Sequence, residues 1–450
     1  MKRDQYNQQL LDFIQQSPTP FHAVETMKKA FNSAGFKELP EEQSWNLTVG
    51  GRYYVIRDSS SIIAFVMGKQ PAVDTGIRLV GAHTDSPCLK IKPNPNLNKN
   101  NYFQLGVEVY GGVLLNPWFD RDLSIAGRVV FKEAANASKD GGRPQQALID
   151  MKRPVAVIPS LAIHLDIDAN SKRTINPQTD IPPLLFKGNA DDKNVGHKED
   201  FRALLARELQ KELYGEKPDS SDITVMDYDL FFYDCQPPAI TGLNEDFIAS
   251  ARLDNLLSCY TGMQALLESN GDVTSLLVCN DHEEVGSTSA SGANGPMLKS
   301  FIERLYPDSE ERSRILSQSL LVSTDNAHGI HPNYSDKHDG NHGPIINDGP
   351  VIKINANQRY ATNSVTSSLF RHLCEEEGVP VQSFVNRTDM GCGSTIGPIT
   401  AANIGVQTLD VGVPTFAMHS IRELAGVDDA HSLFKVLKGF YNSEDSMVVS

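Results

Sequence analysis

Positive charge is in short supply. The 450 residues hold 41 lysines and arginines against 56 aspartates and glutamates, a formal net charge of −15. That balance opposes nucleic acid or an anionic membrane as partner, since both select clustered cations. Cysteine is sparse too: Cys88, Cys235, Cys259, Cys279, Cys374 and Cys392 are scattered without a Cys-x-x-Cys pair. This argues against a disulfide scaffold and reads as reduced thiols of a cytoplasmic protein. No run approaches the roughly 18 apolar residues of a membrane helix. The start, Met1-Lys2-Arg3-Asp4-Gln5, lacks the apolar core of a secretion signal. What remains is an ordinary globular composition, 40% hydrophobic and 22% charged, on a chain long enough for about two to three domains.

Apolar residues recur at helical spacing from 4 to 35, interrupted at Ser17-Pro18-Thr19-Pro20, which predicts two helices. Strands follow at 53–56, 61–66 and 77–82. From about 94 to 238 short alternating strands dominate (104–109, 127–132, 155–158, 223–226 and 230–233). They are broken by a loop at 134–146 and a charged stretch at 191–200, with one helix at 201–214. After Pro237-Pro238 helices and strands alternate again. The expected architecture is an α/β catalytic domain of residues 1–93 and 239–450, with a β-rich domain of residues 94–238 inserted into it.

The chemistry gathers at strand ends. The run Leu276-Leu277-Val278-Cys279 stops at Asn280-Asp281-His282-Glu283-Glu284, then Gly286. So many ionisable groups together call for a cation among them, and a divalent metal supplies it. One glutamate would bind the metal while its neighbour acts as a base toward water; a solvated acidic loop is the other reading. Strand 77–82 delivers His83 with Asp85 two residues on, on the same side of an extended segment. Asp254 opens a helix, as a ligand or as an N-cap. Asp325 ends strand 320–324, and His419 follows strand 407–411. The set His83, Asp254, Glu284, Asp325 and His419, with Glu283 beside it, suits zinc, with cobalt or manganese as substitutes. Five ligands exceed the need of one open catalytic ion, so two metals are inferred.

His83-Thr84-Asp85-Ser86-Pro87, Trp118-Phe119-Asp120-Arg121-Asp122-Leu123, Ala251-Arg252-Leu253-Asp254-Asn255, Glu283-Glu284-Val285-Gly286, His331-Pro332-Asn333-Tyr334, Gln358-Arg359-Tyr360 and Met418-His419-Ser420-Ile421-Arg422-Glu423 closely resemble blocks of the aspartyl aminopeptidase family, metallopeptidase family 18, of bacterial type. The resemblance implies a mixed-sheet di-zinc exopeptidase whose inserted domain dimerises it. Dimers would assemble into a tetrahedral dodecamer acting on peptides with a free N-terminus, Asp and Glu preferred. It also implies that Asp254 bridges two zinc ions, that His83 and Asp325 serve one, and that Glu284 and His419 serve the other. Glu283 is then the general base and Asp85 supports His83. His164 would contact substrate in a neighbouring subunit, or alternatively ligate metal, while Arg359 and His331 would bind substrate. Asn357 stands where acid-specific relatives carry Lys, which leaves a broader or neutral preference open. Two other readings remain: a two-metal amidohydrolase or deacylase acting on N-acyl compounds, and an inactive cage-forming protein.

Overall fold

The computed structural model describes residues 1–133, 143–188, 200–215, 223–445 and 447. Most of the expected loop at 134–146 and of the charged stretch at 191–200 lies outside the described residues. Two units are present, Met1–Ser86 with Pro238–Ser450, and Pro87–Pro237.

The first unit is built on a nine-stranded mixed sheet. Its strands are β1 (Lys37–Glu38), β2 (Arg52–Arg57), β3 (Ser61–Val66), β4 (Arg78–His83), β5 (Ser275–Asn280), β6 (Leu320–Thr324), β7 (Val351–Ile354), β8 (Gln382–Val385) and β9 (Gln407–Gly412). They lie in the order β1-β2-β3-β5-β4-β6-β9-β7-β8. The central strands β5, β4, β6 and β9 run parallel. All six residues of β4 and of β5 are buried, as expected of parallel strands covered on both faces. Alternation divides the core: Val80, Ala82, Leu277 and Cys279 join one apolar cluster, and Leu79, Leu276 and Val278 join another. The register pairs Asn280 with His83 and Ser323 with Gly81. The carboxyl ends of β5, β4 and β6 therefore fall on one edge, where open α/β sheets place their ligands.

The two expected N-terminal helices are Arg3–Gln15 and Pro20–Ser33, the second capped by the Thr19 hydroxyl. A smaller five-stranded sheet joins Ala239–Thr241, Phe247–Ser250, Glu423–Gly426, Pro414–Phe416 and Ala327–His328 in that order. Among the described residues no helix is long and apolar enough to cross a membrane.

The second unit is a six-stranded antiparallel sheet in the order Gln145–Asp150, Leu123–Glu133, Ile223–Asp234, Cys88–Lys99, Tyr102–Tyr110, Leu184–Lys187. Cys88–Lys99 crosses the expected boundary at 93/94 and pairs within this sheet, so the division falls earlier, at Ser86/Pro87. The strands expected at 223–226 and 230–233 are one strand, whose register shifts between Val225 and Asp227. Residues 155–158 form isolated bridges, Leu123 with Ala156 and Val157 with Leu184, and no strand of their own. The helix Phe201–Tyr214 buries Phe201, Leu205 and Leu209.

Candidate metal centre

Three chain segments deliver donors to the carboxyl edge of the sheet. His83 ends β4, the turn after β5 carries Glu283 and Glu284, and Asp325 follows β6. Asp254 and His419 arrive from the segments attached to the smaller sheet. These residues form three overlapping groups, His83/Asp254/Asp325, His83/Glu283/Glu284 and Asp254/Glu284/His419, with ligand atoms within 4.8 Å of one another in each.

Asp254 sits at the centre. Its Oδ1 lies 3.3 Å from Nε2 of His83, and its Oδ2 lies 3.6 Å from Nε2 of His419. Each imidazole has a second carboxylate: Asp325 Oδ1 is 3.7 Å from His83 and Glu284 Oε1 is 3.4 Å from His419. Asp254 is not an N-cap. It falls inside the span Leu253–Leu267 with extended backbone, φ −83° and ψ 105°. Neighbouring strand ends hold it: the Ser86 hydroxyl donates to its carbonyl at 2.6 Å, and the Asn255 amide donates to Thr324 O at 2.9 Å.

Asp85 reaches His83 as expected, 3.3 Å from Oδ1 to Nδ1, although the nearer partner of Nδ1 is the Asp85 carbonyl at 3.1 Å. Its carboxylate has a second task, accepting the backbone N–H groups of Glu283 and Glu284 at 3.1 Å each. That clamp holds a turn whose His282 and Gly286 have φ of 65° and 95°.

Electrostatics ask for a cation. Burial, followed by neighbouring carboxylates, pushes Glu283 up to about 7 and Glu284 well above the usual range. Burial and Asp85 raise Asp281 to about 6. Burial also works to raise Asp254, but the imidazoles of His419 and His83 overcome it and hold this carboxyl well below the usual range. His83 is lowered by burial, yet Asp254, Asp325 and Asp85 raise it well above an ordinary histidine. Asp254 Oδ1 and Glu284 Oε1 are buried without a hydrogen-bond partner. Stranded carboxylate oxygens between imidazoles suit a zinc site, because a divalent ion satisfies both charge and lone pairs.

The family profile described as Aminopeptidase I zinc metalloprotease (M18) matches residues 13–441. The chain belongs to the M18 aminopeptidase family. It is therefore a zinc aminopeptidase, and the deacylase and inactive-cage readings give way. A probable M18 family aminopeptidase 2 of Pseudomonas syringae pv. tomato is 58% identical over 443 residues, 98% of this chain and 99% of the relative. Among solved M18 structures, the Ape4 and Nbr1 complex superposes with TM-score 0.91 at 38% identity, covering 98% of this chain and 86% of that one. The S. cerevisiae mApe1 dodecamer superposes with TM-score 0.80 at 28% identity, covering 98% and 96%.

The remaining M18 expectations are less gathered. His331 lines a cavity of about 280 Å³ that extends to Met418, next to His419, and is also walled by His328, His338, Lys337 and Arg387. Arg359 and Asn357 lie on an exposed turn. His164 sits on an exposed turn of the second unit and belongs to none of the three ligand groups.

The sequence reading missed Lys353. It is buried on β7, with Nζ 3.2 Å from Asp325 Oδ2 and 3.0 Å from Asn326 O. Its signal was available: one charge inside the apolar strand Val351-Ile352-Lys353-Ile354.

Proposed function

We propose that the protein removes N-terminal residues, Asp and Glu preferred, from peptides by hydrolysis at two zinc ions shared through Asp254. The observation that carries this is the division of the Asp254 carboxylate between His83 and His419. On this reading His83 and Asp325 complete one zinc site, and Glu284 and His419 the other. Zinc held there would polarise the scissile carbonyl and make water more acidic. Glu283 takes the proton of the attacking water and returns it to the leaving amine. In the metal-free protein its carboxyl is pushed up to about 7, chiefly by burial. Asp85 keeps Glu283 and Glu284 in register by holding their backbone N–H groups.

The preference for acidic side chains is supported by the cavity beside Met418, where Lys337 and three histidines supply cationic or hydrogen-bonding groups; Arg387 there is paired with Asp389. Lys353 is committed to Asp325. A homo-oligomer built through the second unit, up to a dodecamer, is supported by the mApe1 dodecamer. The exposed apolar residues around His164 also support it: Leu161, Ile163, Leu165 and Ile167 are 59%, 47%, 74% and 84% exposed. Such a patch suits a second copy of this chain, with His164 serving substrate in the neighbouring subunit.

The test is turnover of Asp-, Glu-, Leu-, Met- and Lys-chromogenic substrates, and of N-acetyl-Asp substrate, by zinc-loaded protein with a chelated control. Chelator-sensitive cleavage led by Asp and Glu, with the acetylated compound untouched, is expected. Cleavage led by neutral residues would overturn the acidic preference, and cleavage of the acetylated substrate would overturn the requirement for a free N-terminus.

A further inference from the structure

Glu423 is 2% exposed and begins the strand Glu423–Gly426. Two segments converge on it. Phe247–Ser250 pairs antiparallel with this strand, Ser250 opposite Glu423, and continues into the turn that carries Asp254. Pro414–Phe416 pairs with it from the other side, and the connection between those two strands carries His419. The carboxylate joins both segments. Its Oε2 accepts the Asp254 backbone N–H at 3.0 Å, and its Oε1 accepts the His419 backbone N–H at 2.8 Å.

Each contact answers a local need. The extended backbone of Asp254 gives its N–H no helical acceptor, and a buried N–H needs a partner, so Asp254 depends on an outside acceptor. His419 has φ 68°, a left-handed conformation that a residue with a side chain keeps only where its surroundings hold it. We propose that Glu423 is a positioning residue that fixes Asp254 and His419 relative to each other, and so sets the zinc affinity of the half-site that His419 completes. This rests on the ligand assignment proposed above. A carboxylate has two oxygens that only accept. A neutral amide of the same shape turns one of them into an NH2 group facing a backbone N–H, so Glu423→Gln disturbs the link while preserving bulk.

The test uses the full-length protein, stripped of metal and titrated with zinc against a chromophoric chelator, and with cobalt followed by its visible absorption. For Glu423→Gln, the metal equivalent completed by His419, which loses the hold on both Asp254 and His419, should bind about 10- to 100-fold more weakly, the usual range for a lost partner of a ligand, with an altered cobalt spectrum. The other equivalent, which shares only Asp254, should weaken less. Two equivalents within about twofold of the unsubstituted protein, with an unchanged spectrum, would overturn the proposal. Glu423→Asp, which keeps the charge but withdraws it by one methylene, gives the same reading if the amide variant does not fold. His419→Ala separates the two levels. If it loses one equivalent while Glu423→Gln loses none, the positioning role alone is overturned; if it keeps both, the ligand assignment falls, and the positioning role with it.

Discussion

Replacing Asp85 by Asn should damage the zinc-loaded enzyme more than the metal-free fold. Asp85 is fully buried, and its two oxygens are divided between the N–H groups of Glu283 and Glu284, both at 3.1 Å. Asparagine keeps the shape and one acceptor but opposes an NH2 group to the other N–H. Losing one charged acceptor in a buried site costs about 1.5–3 kcal/mol. If the whole loss falls on the transition state, kcat/KM drops about 10- to 150-fold. In the metal-free protein the same change brings a compensation. Burial first, and then carboxylate charges that include Asp85, raise Asp281, Glu283 and Glu284, so removing one charge relieves repulsion. The assay is calorimetric melting with and without zinc, together with kcat/KM against pH. The zinc-induced rise in Tm should shrink, and the acid limb of the profile should move to lower pH. Equal loss of stability with and without zinc, or unchanged kcat/KM, would refute the reasoning.

Glu283→Gln should retain both metals by elemental analysis and lose about 10²- to 10⁴-fold in turnover; near-normal turnover would remove Glu283 from the proton transfer. Zinc affinity should rise as pH increases from about 5 to 8, with protons released on binding, because zinc ligands bind in their deprotonated form. Calorimetry in buffers of different ionisation enthalpy measures that release. The folded-state carboxyl of Glu283 is raised to about 7, mainly by burial. Its contribution to metal-free stability is therefore present in full below the ordinary carboxylate range and is lost as pH rises through about 7, so metal-free Tm should fall across that interval. Lys353→Met removes one cationic partner of Asp325 and leaves His83 as the other, a loss of about 1.5–3 kcal/mol in metal-free protein; denaturant unfolding should show a smaller loss once zinc is added.

Much of this centre was legible because a parallel sheet turns sequence into geometry. An apolar run that stops at an ionisable residue places that residue on the carboxyl edge, which is how His83, Glu283, Glu284 and Asp325 stood out. Asp254 was ambiguous because helix starts favour Asp for reasons unrelated to metal. Only the fold shows that its backbone is extended and its oxygens diverge. His419 lies in a loop with no periodicity to betray it, and only an imidazole following strand 407–411 marked it. Lys353 and Glu423 escaped for a common reason: each acts through at least one partner distant in sequence, Asp325 for Lys353 and Asp254 for Glu423. Lys353 pairs with Asp325 from the opposite side of the β9 strand, and Glu423 binds the backbone of two residues. The long strand Ile223–Asp234 was read as two because a register shift breaks its alternation.

The central claim is that one carboxylate, Asp254, is shared by two zinc ions with different partners. Anomalous diffraction at the zinc absorption edge, from crystals of the zinc-loaded protein, tests it most directly. Two peaks per chain are predicted, both touching Asp254, one also bound by His83 and Asp325 and the other by Glu284 and His419. A single peak, or a pair that does not share Asp254, would contradict it.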